Sequence, residues 1–182
     1  NIDLPKKGQW VAEARTLRAM CWLHAIDNFG NVPFATEESS VGSTAPQQIS
    51  RADLFKYIES ELTSVLAGND LYGYAEGEYG RANKGLAAMI LAKLYLNAEV
   101  YLGKAEGAGY YQKCADVLAP LVGKYNLHTT SKGTYSAYEE LFLADNHNCA
   151  EEIIFAIQQD GVNTQSWGVT QYRVFASTGG TM

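Results

Sequence analysis

The sequence predicts a mainly α-helical fold in which the helices pack as tetratricopeptide-like pairs. The strongest helical pattern consists of Leu54, Ile58, Leu62 and Val65, whose spacing places the four side chains on one face of a helix. A short, glycine-bearing connection at residues 103–109 separates two further helical segments. Paired helices of this length are typical of α-helical repeat proteins.

The first helix is expected from about Gln9 to Asn28. Its stretch 19–23 is apolar all round, which indicates a helix that is buried on several sides. We therefore expect His24 to be a hydrogen-bonded core residue, and Cys21, like Cys114 further along the chain, to be a buried free thiol. Gly30 ends this helix, Pro33 prevents its restart, and a loop follows to residue 48.

The second helix begins after Ser50, and Asp53 lies three residues later in a pattern that resembles a capping box. The segment Gly68-Asn69-Asp70 ends it. Residues 71–80 are rich in Tyr, Gly and Glu, and we expect them to form a loop.

Three more helices are predicted in the second half of the chain. The third spans about residues 82–101, the fourth spans about 110–122 with Pro120 in its last turn, and a short fifth lies near 135–143. The β-branched, apolar segment 152–156 is either a strand or an extended buried segment. Residues 158–182 are polar and aperiodic.

Length and charge narrow the class of protein. The 182 residues suffice for one sizeable core, and the 47% of hydrophobic residues is typical of a globular protein. The net charge of −6, without a basic patch, argues against binding to nucleic acid or anionic lipid. No apolar run is long enough for a transmembrane helix. Neither end carries a start signal or a closing element, so we expect a domain that is truncated at both ends.

Motifs for catalysis, metal binding and cofactors are lacking in the sequence. The three cysteines form no C-x-x-C pair, and the three histidines lack the spacing of zinc ligands. No glycine-rich phosphate loop or serine-hydrolase motif occurs. Three pairs of neighbouring glutamates occur. The two side chains of each pair point in different directions, so no pair is by itself the acid and base of a glycosidase. These doublets are Glu37-Glu38, Glu139-Glu140 and Glu151-Glu152. The sequence therefore predicts no catalytic residue, no metal site and no cofactor.

Four segments of the chain follow one another in a specific order. They are AEARTLRA (12–19) leading to FGNVPF (29–34), GRANKGLAA (80–88) leading to LAKLYL (91–96), YYQKCA (110–115), and EIIFA (152–156). This order and spacing resembles the SusD/RagB family of Bacteroidetes starch- and glycan-uptake proteins, over roughly residues 10–157. The family commonly has Asp at the position of Asn31, and the lipoprotein cysteine expected near the mature N-terminus is not in this sequence.

The resemblance implies one SusD-like domain with a tetratricopeptide-like scaffold at residues 1–125 and the start of an irregular ligand-binding part at residues 126–182. It implies a non-catalytic protein on the extracellular face of the outer membrane, with a lipid anchor outside this chain. Such a protein binds oligosaccharides or polysaccharides and delivers them to a SusC-like TonB-dependent transporter. Two alternatives remain open: a helical-repeat adaptor for protein–protein interaction and an all-helical glycosidase.

Three arginines are expected to have structural roles. Arg15 and Arg18 lie in a mostly apolar helix and need loop carbonyls or a carboxylate as acceptors. Arg81 directly precedes the third helix, and we expect it to bind the acidic loop before it, at Glu76 or Glu78.

The candidate ligand-binding side chains lie in the polar segment at the end of the chain. Sugars are bound by flat aromatic rings and by amide or charged groups that bond to hydroxyls, and aromatic residues in an aperiodic polar segment are less easily explained as core. The predicted residues are Asn163, Gln165, Trp167, Tyr172 and Arg173. The alternative for Trp167 is that it anchors this loop to a further domain. The tyrosine-rich loop provides a second candidate, for ligand or partner contact, with Tyr72, Tyr74 and Tyr79.

Overall fold

The computed structural model describes residues 4–39, 42, 45–159 and 162–164, and this part of the chain is mainly helical. Two 3₁₀ turns, Ala119–Leu121 and Asn146–Cys149, accompany the helices, and β1 and β2 pair antiparallel with Val32 opposite Ile49. The helices and strands are α1 (Lys7–Phe29), β1 (Val32–Pro33), β2 (Gln48–Ile49), α2 (Arg51–Ala67), α3 (Lys84–Leu96), α4 (Ala98–Leu102), α5 (Lys104–Gly107), α6 (Tyr110–Leu118) and α7 (Ala137–Glu140).

The core lies where α2 packs against α1 on one side and α3 on the other, while α6 packs against α3. The face of α2 that the sequence predicted as apolar is fully buried at Leu54, Ile58 and Leu62, and Leu94 of α3 is buried beside it. The predicted tetratricopeptide-like pairing is confirmed, since α1 with α2 and α3 with α6 form the two pairs. Burial of these faces supplies the main stabilising free energy of the described residues.

Side chains cap the N-termini of the two central helices. The Ser50 hydroxyl oxygen accepts a hydrogen bond from the Asp53 backbone N–H at 3.1 Å, which confirms the predicted cap of α2. Asn83 caps α3 in the same way, with its side-chain oxygen accepting from the Leu86 N–H at 3.0 Å. These caps set the first turn of each helix and thereby the direction of the loops that precede them.

The connection between α1 and α2 turns at Gly30, whose φ of +69° favours glycine. The side-chain oxygen of Asn31 then accepts a hydrogen bond from the backbone N–H of Arg51, the first residue of α2, at 2.8 Å. An Asp at this position would offer the same kind of acceptor, so an exchange between Asn and Asp would leave this bond in place.

The structure revises the bounds of the later helices. The predicted third helix is divided at Asn97, whose side-chain amide donates to the Lys93 carbonyl, so α3 ends at Leu96 and the separate α4 follows. The fourth ends as α6 at Leu118, and Pro120 lies in the following 3₁₀ turn, as its lack of an N–H predicts. The fifth is the short α7, which begins with a capping box at Ser136 and Glu139.

The prediction that α1 is buried on several sides is wrong for the described residues. Only one stripe of α1 is buried, because α2 and α3 cover a single side of it. Cys21 and His24 lie on the open side and are exposed, so neither is the core residue that the sequence predicted. Cys114 is buried as expected. The buried residues of α1 are Ala12, Glu13, Thr16, Ala19, Leu23 and Ile26.

The arginines of α1 bind carboxylates, as predicted. Arg15 and Arg18 both donate to Glu61 of α2, at 2.9 and 2.7 Å, and Arg18 also donates to Glu37 in the loop after β1 at 2.5 Å. Glu61 is nearly buried, with 15% of its side chain exposed. The hydrogen bonds from Arg15 and then from Arg18 lower the pKa of the Glu61 carboxyl, so this charged group joins α1 to α2.

The described residues after the 3₁₀ turn Asn146–Cys149 form no helix or strand. Residues 152–156 are half-buried and form no strand in the described part of the chain, so the strand alternative is wrong for them. Among the described helices, none has the length and apolar character needed to cross a membrane.

Candidate functional site

A pocket of about 310 Å³ lies between the tyrosine-rich loop and the irregular segment that ends with residues 150–156. Its walls combine aromatic rings with carboxylate, amide, ammonium and guanidinium groups, which suits a polar ligand that has an apolar face. The polar and aromatic residues that line it are Glu76, Glu78, Tyr79, Arg81, Asn83, Lys124, Tyr125, Asn126, Glu151 and Phe155.

Two glycines shape the loop side of this pocket. Gly77 and Gly80 have φ values of +91° and +81°, a conformation that side chains disfavour. The ring of Tyr72 lies directly against Gly77, and the side chain of Gln158 lies against Gly80. The Gln158 amide also donates to the Tyr79 carbonyl at 2.7 Å, so the loop is tied to the chain just after the EIIFA segment.

The guanidinium of Arg81, at the edge of the pocket, is held from α1, whereas its backbone N–H donates to the Glu78 carbonyl of its own loop at 3.0 Å. Its guanidinium binds the carboxylate of Glu13, with 3.1 Å between Nε and Oε1. The expected pairing with Glu76 or Glu78 is therefore wrong. Glu13 is a nearly buried carboxylate on the covered stripe of α1, and a buried carboxylate needs a charged partner more than an exposed loop glutamate does.

Tyr125 connects the two sides of the pocket. Its hydroxyl oxygen accepts the backbone N–H of Ala75 at 3.1 Å and lies close to Gly85 in the first turn of α3. The next residue, Asn126, donates its N–H to the carbonyl of Glu151 at 3.1 Å. Residues 124–126, the tyrosine-rich loop and the segment after residue 150 are thus held as one wall.

Among the described residues, Tyr79 is the one predicted ligand-binding residue at this pocket. Tyr79 lines the pocket, whereas Tyr72 and Tyr74 are half-buried in the same loop and do not line it. Asn163 is exposed. Gln165, Trp167, Tyr172 and Arg173 lie outside the described residues, so their role stays a prediction.

A buried histidine lies behind this wall. The Nδ1 atom of His128 is 2.6 Å from the carboxylate of Glu151, and its Nε2 atom is 2.8 Å from that of Glu140. Its backbone N–H donates to Glu152 at 2.6 Å. The carboxylates of Glu140 and Glu151, which belong to different doublets, therefore meet at one imidazole.

The two carboxylates shift the pKa of His128 in one direction. The hydrogen bond from Glu140 and then that from Glu151 raise the pKa of His128 above its ordinary value. The hydrogen bond with His128 in turn lowers the pKa of each of these two glutamates. The group ties residues 128, 140 and 151 together and supports the pocket wall from behind.

Sequence reasoning did not identify Tyr125, Lys124 and Asn126 as pocket residues, nor His128 as the centre of a cluster. Only the tertiary structure brings residue 125 next to residue 75 and residue 128 next to residues 140 and 151. The residue types of Tyr125 and Asn126 were a usable signal, because a tyrosine and an asparagine in the polar segment 158–182 are predicted to bind ligand on the same grounds.

Comparison with known proteins places the chain in a family. No protein-family model matches it. The curated protein "Starch-binding protein SusD" of Bacteroides thetaiotaomicron is 36% identical over 167 residues, which are 90% of this chain and 27% of SusD. The chain therefore spans about a quarter of the length of this relative.

Solved structures share the fold. A SusD-like protein from Bacteroides fragilis matches with a TM-score of 0.66 and 20% identity, over 90% of this chain and 30% of its own. Surface glycan-binding protein A from Bacteroides uniformis matches with a TM-score of 0.61 and 21% identity, over 87% of this chain and 33% of its own. The mainly helical fold, the order of the four segments and these similarities agree: the chain belongs to the SusD/RagB family, as a central part of a SusD-like protein.

Proposed function

We propose that the protein is a non-catalytic, cell-surface glycan-binding protein that delivers oligosaccharides to a SusC-like TonB-dependent transporter of the outer membrane. The observation that carries the proposal is the 36% identity to a protein named for starch binding, over 90% of the chain. A structural relative that is named a surface glycan-binding protein supports the location at the cell surface.

The geometry supports different roles for the two parts of the chain, one as scaffold and one in ligand binding. Residues 1–125 contain the packed helix pairs and act as scaffold, and residues 126–182 begin the ligand-binding part. The mixed aromatic and polar pocket lies at the boundary of the two, where Tyr125 and Asn126 contribute to its wall. A ring for the apolar sugar face and several hydroxyl-binding groups are both present there.

The engagement of the doublet carboxylates favours binding over hydrolysis. Glu140 and Glu151 are engaged by His128, Glu139 by the cap of α7, and Glu37 by Arg18. A glycosidase needs two carboxyl groups that face an open cleft on either side of the scissile bond. These bonds leave none of the three doublets with two unengaged carboxylates, which supports a non-catalytic function for the doublets.

Trp167→Ala is expected to weaken oligosaccharide binding by the full chain at least about tenfold, because truncation of an aromatic ring at the centre of a binding site removes its stacking surface. Isothermal titration with starch oligosaccharides, followed by a wider glycan panel, measures the change. Tyr79→Ala tests the pocket of the tyrosine-rich loop in the same way and is expected to have a smaller effect.

Trp10→Ala provides the matched control, since Trp10 is a half-exposed tryptophan on α1 at 44% exposure. It should bind like the unchanged protein. Equal binding by Trp167→Ala and the unchanged protein would contradict the assignment of Trp167. Absence of glycan binding by the unchanged protein would contradict the proposed function and favour the helical-repeat adaptor.

Delivery to a transporter has a separate test. An affinity-tagged full chain that is purified from its own outer membranes in mild detergent should carry a TonB-dependent transporter with it. If the protein binds glycan but no transporter is purified with it, the proposed glycan binding stands and the proposed delivery to a transporter is wrong.

A further inference from the structure

Three side chains that suit a transition metal converge behind the pocket wall. One ligand atom each from His128, Glu140 and Cys149 lies within 4.8 Å of the other two. All three residues are buried, with 6%, 8% and 2% exposure. The sequence predicted no metal site because gaps of 12 and 9 residues match no ligand spacing, and only the fold brings these residues together.

Further hydrogen bonds orient two of these donors. Glu151 lies 2.6 Å from Nδ1 of His128, which directs Nε2 towards Glu140 and Cys149. The Oε1 atom of Glu140 accepts the backbone N–H of Lys132 at 2.8 Å, and Oε2 is the atom that faces Nε2. A carboxylate on the far nitrogen of a histidine is the arrangement that commonly supports metal-bound histidines in proteins.

The thiol of Cys149 differs from the other buried thiol. Cys114 donates to the carbonyl of Ala92 at 3.4 Å, whereas the thiol of Cys149 has no hydrogen bond within the residues that the structure describes.

A route from solvent to the three donors is present. A pocket of about 610 Å³ is lined by Glu140 and Cys149 together with Lys132, Tyr135, Asp145 and Asn148. An ion can reach the ligands from this side, and a water molecule can occupy a fourth position there.

We propose that His128, Glu140 and Cys149 form a binding site for a divalent transition metal of the zinc type. Imidazole nitrogen, thiolate sulfur and carboxylate oxygen together are ligands of Zn²⁺, whereas Ca²⁺ and Mg²⁺ select all-oxygen sites. Binding replaces the proton of the Cys149 thiol and any proton on Nε2 of His128; these protons pass to solvent, and no electron is transferred.

The site would clamp residues 128–149 independently of glycan binding. It joins the chain just after the helix pairs to α7 and to the 3₁₀ turn that ends at Cys149. The ion therefore rigidifies the beginning of the irregular part, and the proposal does not depend on the identity of the sugar or of the transporter.

Titration of the full chain with Co²⁺ tests the proposal, because a Co²⁺–thiolate bond gives a near-ultraviolet charge-transfer band that Zn²⁺ abolishes on displacement. We expect one such band, and Cys149→Ser should remove it and weaken Zn²⁺ binding more than 100-fold, whereas Glu151→Gln should weaken binding about 10–100-fold. Binding of Zn²⁺ should also release protons into a weakly buffered solution that contains a pH indicator.

Cys114→Ser and Cys21→Ser are the matched controls, one a buried and one an exposed thiol, and both should keep the band. Far-ultraviolet circular dichroism of Cys149→Ser should match that of the unchanged protein, since the exchange of sulfur for oxygen alters little volume. Absence of the band in the unchanged protein, or its survival in Cys149→Ser, would overturn the proposal.

Discussion

Phe55→Ala should lower the free energy of unfolding by about 3–5 kcal/mol, the range for removal of a buried aromatic side chain. The Phe55 side chain is fully buried on α2. Its ring centroid lies 5.0 Å from that of Tyr110 in an edge-on contact and 6.2 Å from that of Tyr101. Phe55 thus joins α2 to both α6 and α4, and the cavity left by Ala would open between the two helix pairs.

Urea denaturation of the full chain measures this change, with the slope m compared as well as the midpoint. Phe29→Ala is the matched control because Phe29 is 77% exposed at the end of α1, and it should change the free energy of unfolding by less than about 0.5 kcal/mol. Similar losses in the two variants would contradict the central role of Phe55 in the packing.

Glu61→Gln should lower the free energy of unfolding by about 1–3 kcal/mol, because it leaves two partly buried guanidinium groups without their shared charge. Arg15 and Arg18 have 31% and 28% of their side chains exposed, so solvent screens the pair in part, and we place the effect below that of a fully buried ion pair. Arg18→Gln combined with Glu61→Gln in a double-mutant cycle isolates the coupling between the two groups.

The effect of Glu61 should depend on pH in a definite direction. The folded-state pKa of Glu61 is lowered, first by the hydrogen bond from Arg15. Its contribution is therefore fully present above the ordinary carboxyl pKa of about 4.3 and is lost as the pH falls through the lowered value. The stability difference between the unchanged protein and Glu61→Gln should shrink over this acidic range. A difference that is constant down to the lowest pH would contradict the assignment, and the exposed Glu38 provides the control in Glu38→Gln.

Local patterns in the sequence predicted most of the helical architecture correctly. The spacing of Leu54, Ile58 and Leu62 identified the buried face of α2, and Ser50 identified its first residue. These predictions succeeded because apolar periodicity and N-caps depend on residues within one or two turns of each other. The division at Asn97 was missed, since residues on both sides of it continue a helical pattern.

Predictions about burial and pairing were less successful, because they depend on distant parts of the chain. The apolar stretch 19–23 suggested a helix covered on several sides, but within the described residues a single stripe of α1 is buried, mainly against α2 and α3. The guanidinium of Arg81 binds Glu13, 68 positions away, and not the glutamates that precede it by a few residues. Sequence proximity is a poor guide here, since the buried carboxylate benefits most from the counter-charge.

The sequence by itself determined the fold class, the cap at Ser50, the breaks at Gly30 and Pro120 and, through its four ordered segments, the family. Only the tertiary structure decided which polar groups meet: Tyr125 with Ala75, Arg81 with Glu13, and His128 with Glu140, Glu151 and Cys149. The physical reason is that helices and caps depend on residues that are close in sequence. A pocket or a ligand cluster instead requires contacts between residues that lie tens of positions apart, and no local sequence pattern shows which residues these are.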